Sequence, residues 1–391
     1  MKIIVLPSFY PTDLHPLRGS FFREQSIAIS KRVNSLSIIF PELRSIRDIT
    51  LSNILDYRFQ YTSSEDEGII TYRKHRINFF KTKFDLGLGQ RLWIEACYQM
   101  CVNYIKSHGK PDLIHAHCAL GAGAAAMKIK EKYNIPYVLT EHSTGYAKGI
   151  YKKELKNNIR NIFLNADQAI AVSSPFKKLL EVQLDLPPKT IKVIPNFIDT
   201  DFFIPSYKKK RSSFKFLIVC HLVSKKRVDR VIDAFSKLID EFPQIELKIA
   251  GMGDQFDSLR NRVCQLRLEN KILFHGQASR EDVRNLMQES DCFVLSSDIE
   301  TFGVVLIEAL SCGIPVIATR SGGPEDIVNK VTGTLVNRTV EELANAMKNI
   351  IINIEIYSAS KLRNEVLDKY SSESISQRYV DLYSKILSLY Q

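Results

Sequence analysis

Residues 300–327 read ETFGVVLIEALSCGIPVIATRSGGPEDI. The apolar run VVLIEAL after Phe302-Gly303 reads as the first turns of a buried helix. Gly313-Ile314-Pro315 follows it, VIAT at 316–319 reads as a strand, and Gly322-Gly323 turns the chain ahead of Glu325. This is one stretch of alternating α/β structure, and it carries two carboxylates, Glu300 and Glu308. Gly303 lets a ligand approach the backbone closely. The first N–H groups of a helix have no internal partners and favour an anion. A phosphate is therefore expected at residues 302–304, with one carboxylate on either side.

The same alternation extends outward in both directions. KIIVLPS reads as a first strand, SFFREQSIAISKRV as a helix and LSIIF as a second strand; PDLIHAH, YVLTEH, AIAVSS and IKVIPN follow as short β-like runs. A second set begins at FKFLIVC and continues with IELKIAG, ILFHG, CFVLSS and PVIAT. Strands separated by helical sequence indicate parallel sheets, and two sets predict two doubly wound α/β domains. The boundary is expected within Asp199–Ser213, where DTDFFIPSYKKKRSS replaces the apolar pattern. The assignment is residues 1–203 for the first domain and 204–371 for the second. An amphipathic helix follows over about 372–391. Ligands of open α/β sheets bind at the carboxyl ends of strands. His117, His142, Asn196, His221 and Gly251 fall there, and two facing domains would gather them around one cleft.

Composition narrows the function classes. The chain has 391 residues, 45% of them hydrophobic, enough for two cores. It has no run of eighteen apolar residues, so no membrane span is expected. MKIIVLPSFYP is broken by proline too early for a signal peptide. Seven cysteines without a C-x-x-C fit reduced thiols in a cytosolic protein, and no zinc site is legible. The net charge is +11 and lopsided: residues 1–203 hold 28 Lys+Arg against 19 Asp+Glu, and residues 204–391 hold 26 against 24. A basic first half suggests an anionic partner: nucleic acid, a membrane surface or a phosphate-bearing acceptor.

The glutamate spacing points to the kind of ligand. Eight helical residues rise ~12 Å, wider than the ~5–5.5 Å of a retaining glycosidase pair or the ~6.5–9.5 Å of an inverting one. A loop at Glu300 would shorten it. The spacing suits two hydroxyl-rich groups joined by a diphosphate, as in a sugar nucleotide. An isolated pair would read as a helix-surface residue and a dipole partner. The glycines and Phe302 in register argue against that.

With these residues in place, the chain resembles glycosyltransferase family 4, a group of retaining GT-B enzymes. The resemblance rests on E-x-F-G, the second glutamate followed by Ala309, Gly313-Ile314-Pro315-Val316 and Gly322-Gly323-Pro324-Glu325. Weaker segments follow the family's order: Gly19 in PLRGSFFREQ, His115-Ala116-His117, Thr140-Glu141-His142, Val193 to Asp199, Leu222 to Lys226, and Gly251-Met252-Gly253. It implies two Rossmann-like domains facing a cleft, the first binding acceptor and the second the nucleotide-sugar donor, with the last helix packing back on the first.

Roles follow from the resemblance. Glu308 would hold the donor ribose. Glu300 would bind the sugar hydroxyls, a nucleophile role remaining open. Backbone N–H groups of Phe302, Gly303 and Val304 would meet phosphate or sugar oxygens. Lys226 would hold the diphosphate. The family's arginine is replaced by His221, whose imidazole offers no bidentate fork. Arg227 or Arg230 is the candidate substitute. His142 is expected beside the transferred sugar and acceptor, Gly19 and Gly251 in loops near the donor, and Glu325 on the leaving-group side. Gly251-Met252-Gly253 lacks the continuation of a dinucleotide fingerprint. His115 and His117 are expected to project to opposite faces of their strand, one packed and His117 a candidate for the cleft, so that they do not share a metal.

The implied reaction moves a hexosyl group from a UDP- or GDP-sugar to an acceptor hydroxyl with retention (enzyme class 2.4). It uses no metal or other cofactor, and the acceptor is expected to be a lipid-linked glycan in polysaccharide or glycolipid biosynthesis. The protein would be cytoplasmic, peripheral on the inner face of the membrane. Residues 72–93, YRKHRINFFKTKFDLGLGQRLW, interleave basic and apolar groups. They read either as a lipid-touching surface through Phe79, Phe80, Phe84 and Trp93 or as a strand, a loop and a helix start, with core aromatics and a solvated basic face. Two rival functions are a GT-B epimerase of sugar nucleotides and a basic nucleic-acid-binding protein. No nucleic-acid motif supports the latter.

Overall fold

The computed structural model describes residues 1–15, 18–45, 61–78, 87–206 and 213–390. The chain divides into two compact units, Met1–Ile194 with Ile375–Gln391, and Pro195–Ser374.

Unit 1 contains strands β1 (Lys2–Pro7), β2 (Ser35–Ser45), β3 (Tyr61–Asp66), β4 (Ile69–Asn78), β5 (Leu113–His117), β6 (Tyr137–Glu141), β7 (Gln168–Ala171) and β8 (Ile191–Val193). Its helices are α1 (Ser20–Ser30), α2 (Leu88–His108), α3 (Ala124–Tyr133), α4 (Lys153–Asn165) and α5 (Ser174–Gln183). The sheet order is β3-β4-β2-β1-β5-β6-β7-β8. All pairings are parallel except β3 with β4. Ile3, Ile4, Val5 and Leu6 are all buried, as are all five residues of β5 and of β6. A parallel strand covered on both faces reads as a continuous apolar run.

Unit 2 contains β9 (Phe214–Val219), β10 (Ile245–Ala250), β11 (Ile272–Gly276), β12 (Cys292–Leu295), β13 (Val316–Thr319) and β14 (Gly333–Val336). Its helices are α6 (Val228–Ser236), α7 (Phe256–Gln265), α8 (Arg280–Gln288), α9 (Val304–Ser311), α10 (Pro324–Ile327), α11 (Val340–Ile352) and α12 (Ala359–Tyr370). The order β11-β10-β9-β12-β13-β14 is fully parallel. This is the doubly wound 3-2-1-4-5-6 arrangement. One core packs Phe216, Ile218, Val231, Phe235 and Leu247 with Met347 of α11. Each such side chain contributes roughly 1.5–3 kcal/mol on burial.

The last helix, α13 (Ser372–Leu387), belongs to unit 1 from Ile375 onward. Arg32 Nε donates to Ser376 Oγ at 2.9 Å, and Arg378 Nη2 to the Val193 carbonyl at 2.9 Å.

The division at Ile194 and Pro195 lies ahead of the boundary at 203 and 204 drawn from composition. Composition marks where polar residues begin, but contacts decide which core a segment joins. Phe203 is 1% exposed, and its carbonyl accepts from Ser311 Oγ at 2.6 Å and Arg363 Nη1 at 2.8 Å. The antiparallel β3–β4 pair was not read from sequence either. YRKHRIN, the start of the basic-apolar stretch and a strand in one of its two readings, forms most of β4.

Candidate active site

In unit 2 the strand order reverses between β9 and β12, and a doubly wound sheet opens a crevice at such a point. The loop after β9 carries Cys220 to Arg227, and the loop after β12 carries Ser296 to Gly303. Lys226 Nζ pairs there with Glu300, and Ser297 Oγ donates to Glu300 Oε1 at 2.7 Å. The two charged side chains are 17% and 12% exposed, so solvent screens the pair only partly. Backbone contacts lace the loops together. Ser296 Oγ donates to the carbonyls of Lys226 at 2.8 Å and Arg227 at 2.9 Å, and Asp298 N–H to the Lys225 carbonyl at 2.9 Å.

A second loop locks Glu300 from the other side. Glu300 N–H donates to Ser321 O at 2.8 Å, and Gly323 N–H to Glu300 O at 2.9 Å. The glycine pair is a steric necessity. A Cβ on Gly322 would lie 2.6 Å from Glu300 O, and one on Gly323 would lie 2.2 Å from the Phe302 Cα. Gly322 N–H contacts both Glu325 carboxylate oxygens, at 3.2 and 2.9 Å, and burial raises the Glu325 carboxyl above its usual range. Glu325, expected on the leaving-group side, thus caps the glycine turn.

Gly303 has φ 100° and forms the N-cap of α9. Only glycine adopts that backbone without strain, so the first N–H groups of α9 open directly from the loop that carries Glu300. Phe302 is buried, with its ring 5.8 Å from Tyr370, so its backbone and not its side chain is the candidate binding group. Glu308 is half-buried on α9. Gly251 has a structural reason of its own: at φ 135° a Cβ would sit 1.8 Å from the Cys220 carbonyl oxygen.

His221 is exposed at the head of this loop. Of the two candidate replacement arginines, Arg230 is buried, donating from Nη1 to Ser296 O at 3.0 Å and from Nη2 to Asp298 Oδ1 at 2.9 Å. It holds the loop. Arg227 is more open, bonding Asp229 through Nε and Nη2 at 3.1 and 2.9 Å. A groove of about 290 Å³ beside it is lined by Leu222, Ser224, Arg227, Asp229, Gln255 and Ser258; Lys226, Glu300 and Glu308 lie outside it.

In unit 1 the order reverses between β1 and β5. Ser8, just past β1, donates from Oγ to Leu120 O at 2.7 Å and accepts from Ala122 N–H at 3.1 Å, closing the turn after β5. Gly19, at φ 77°, caps α1, and a Cβ there would lie 2.7 Å from the Phe9 carbonyl oxygen. The helix then brings Phe21 and Phe22 against His142, with ring centroids 5.2 and 5.0 Å away.

The expectation for His115 and His117 is corrected. Residues i and i+2 of a strand share a face, and the two rings lie 4.2 Å apart. Both are buried, at 0% and 1% exposure, so His117 is packed as well. His115 Nε2 meets Thr140 Oγ1 at 2.8 Å, and His117 Nδ1 meets His142 Nε2 at 3.3 Å. Burial pushes His115 and His142 down to about 3, and burial with the two neighbouring imidazoles holds His117 well below its usual range. All three are neutral at pH 7.

Sequence reading gave no role to Ser297 or Glu141. Glu141 is 1% exposed and accepts from the N–H groups of Ala119, His142 and Ser143, each at 2.9 Å, and from Tyr146 Oη at 3.0 Å. It shapes the loop that presents His142. Its place beside His142 in Thr140-Glu141-His142 was the available signal; the donors come from two segments, the one after β5 and the loop after β6. In the basic-apolar stretch, Phe79, Phe80 and Phe84 lie outside the described residues. Trp93 is half-buried on α2, and a Cβ on Gly121 would lie 3.2 Å from its ring.

Two Rossmann-like domains of this kind define the GT-B class of sugar-transferring folds. The family profile "Glycosyl transferases group 1" matches residues 199–365, and "Glycosyltransferase Family 4" matches residues 60–202. The chain is 31% identical over 291 residues to the N-acetyl-alpha-D-glucosaminyl L-malate synthase of Bacillus anthracis, 71% of this chain and 75% of that one. It is 26% identical over 297 residues to the phosphatidylinositol N-acetylglucosaminyltransferase GPI3 subunit of Saccharomyces cerevisiae, 73% of this chain. That match spans 64% of the yeast protein, less than two thirds of its length. The crystal structure of Anabaena HepE in complex with UDP has the same fold, with TM-score 0.73 and 21% identity over 98% of this chain and 100% of that one. The chain belongs to glycosyltransferase family 4 and is a glycosyltransferase of enzyme class 2.4. The findings do not favour the epimerase alternative. Among the described residues no helix is long and apolar enough to cross a membrane.

Proposed function

We propose that this glycosyltransferase moves a hexosyl group from a nucleoside-diphosphate sugar to an acceptor hydroxyl with retention of configuration. The observation that carries the reading is the Lys226–Glu300–Ser297 cluster at the switch point of unit 2, one loop ahead of the Gly303-capped start of α9. A cation and a helix N-terminus together suit a diphosphate leaving group. Lys226 has three donors and uses one toward Glu300, so it can hold a phosphate oxygen and the carboxylate together. Glu308, on α9 itself, is assigned to the donor ribose. Val304 and Gly303 offer backbone N–H groups to the phosphates.

Glu300 is assigned to the sugar hydroxyls. Its carboxylate is bonded by Lys226 and Ser297, which weakens it as a nucleophile. Retention then proceeds on one face of the sugar, with the leaving diphosphate taking the acceptor proton and no metal ion required. The acceptor side is assigned to unit 1, with Gly19 and His142 as its markers. UDP in the crystal structure of the related fold makes UDP the first nucleotide to test, with GDP the alternative. The basic N-terminal half supports a lipid-linked glycan acceptor in polysaccharide or glycolipid biosynthesis, met from the cytoplasmic face of a membrane.

The test is thermal stability against UDP, GDP, ADP and CMP, each alone. A ligand at 100 times its Kd adds ~2.7 kcal/mol. Stabilisation by one nucleoside diphosphate, lost in Glu308→Ala, is the expected result. A shift that survives Glu308→Ala would overturn the donor assignment. Flotation with anionic vesicles at low salt tests the membrane assignment, which no binding would defeat.

A further inference from the structure

The carboxy-terminal helix reaches the interior of unit 1 through one hydroxyl. Tyr383 of α13 is fully buried, and its Oη lies 2.7 Å from His115 Nδ1. The other nitrogen of His115 faces Thr140 Oγ1 at 2.8 Å. A neutral imidazole has one donor and one acceptor nitrogen. A buried phenol must place its proton, and His115 Nδ1 is the acceptor beside it. This assigns the His115 proton to Nε2, directed at Thr140.

The His115 ring lies against His117, tilted by 38° with centroids 4.2 Å apart, and Phe22 packs on His117 at 4.5 Å. The His117 ring is thereby fixed, and its Nδ1 meets His142 Nε2 at 3.3 Å. Both rings are neutral, so that hydrogen bond contains one proton. Whether His117 donates or accepts decides whether His142 Nδ1 is a bare acceptor or an N–H donor. His142 Nδ1 is buried and has no hydrogen-bond partner among the described residues. A buried polar atom left unpaired is disfavoured unless a ligand or water completes it.

We propose that Tyr383 is a positioning residue for His142: its hydroxyl anchors the His115 ring, which packs against His117, and His117 in turn bonds His142, so the carboxy-terminal helix fixes the orientation in which His142 Nδ1 meets the acceptor hydroxyl. The inference rests on the assignment of His142 to the acceptor side. It adds that a helix remote in sequence sets the position of that nitrogen.

The experiment is imidazole ¹⁵N NMR of the full chain, with His142→Asn and His115→Asn identifying the two sets of signals. In the unaltered protein His115 is expected as the Nε2–H tautomer; an Nδ1–H tautomer would overturn the proposal without any variant. Tyr383→Phe removes one hydroxyl and keeps the ring. It should move His115 toward averaged, mixed-tautomer shifts and displace or broaden the His142 signals. Tyr390→Phe is the control, since Tyr390 Oη bonds Asp167 Oδ1 at 2.7 Å near the end of the chain, away from the histidines. His142 signals that stay fixed in Tyr383→Phe, or move equally in both variants, defeat the proposal. Stabilisation by UDP reads the donor assignment separately and is expected unchanged in Tyr383→Phe, so failure of either idea is seen by itself.

Discussion

The two units share a doubly wound strand order and use its switch point with opposite chemistry. Unit 2 places an ion pair there, Lys226 with Glu300, partly screened and joined by a serine. Unit 1 places three neutral imidazoles there, tilted against one another, with His115 and His117 buried and His142 half-buried. The topology supplies a crevice at the strand ends in both cases. Which residues follow the strands then decides whether that crevice handles charge or hydrogen bonds. Under the proposed function a leaving diphosphate would meet the former and an acceptor hydroxyl the latter.

The sharpest way to break the charged side is Gly323→Ala. The new Cβ would lie 2.2 Å from the Phe302 backbone, so the 300–304 loop has to move. The expected stability loss is at or beyond the upper end of the ~1–3 kcal/mol of ordinary overpacking, with loss of nucleotide stabilisation. Urea unfolding and thermal shift with UDP measure the two effects, and a variant that still binds UDP normally would show that the loop geometry is dispensable.

Lys226→Met asks whether the cation serves turnover. Removal of one transition-state donor lowers kcat by ~10²–10³, and a comparable loss is expected here. Lys226→Arg should restore part of it. Equal activity in all three proteins would leave the ion pair a purely structural contact.

The neutral side is tested by acid. Folded His115 and His142 titrate only near about 3 and His117 well below its ordinary value, while the unfolded chain protonates each histidine near pH ~6.5. Protons therefore bind the unfolded chain first. Stability of unit 1 should fall as pH drops from ~6.5 toward 3, by up to ~1.4 kcal/mol per pH unit for each histidine that stays neutral. The groups facing the cluster are Thr140, Tyr379 and Tyr383, with Glu141 at the end of β6. Trp93 is the sole tryptophan and lies in unit 1, so its fluorescence reports this unit. A His115→Asn variant should show a shallower pH dependence; an unchanged slope would mean these histidines titrate normally.

The smallest effect is expected from His221→Arg. The residue is exposed, so folding should be unaffected within about 0.5 kcal/mol. An added guanidinium near the diphosphate should tighten UDP binding several-fold, measured by titration calorimetry. No change would point to Arg227 as the group already filling that role.

How legible the molecule was differs between the two sites. In unit 2 the decisive features are local: ETFG, VVLIEAL and SGGPE place a loop, a helix start and a glycine turn within 28 residues. Gly303 and Gly322 were readable because their left-handed backbones favour glycine. Ser297 was missed because Ser-Ser before an acidic residue reads as an ordinary turn. In unit 1 the histidine cluster joins residues 115, 117, 142 and 383, and no local pattern links them.

The sequence by itself determined the two parallel α/β sets, the helix start after Gly303 and the family, because apolar periodicity and glycine requirements act over short distances along the chain. Only the tertiary structure decided that Lys226 meets Glu300, that Arg230 is tied into the loop, that residues 195–203 join unit 2, and that Tyr383 reaches His115. Those facts depend on which side chains share a dry interior. Desolvation and pairing across segments are properties of the packed chain, and they have no spacing to read.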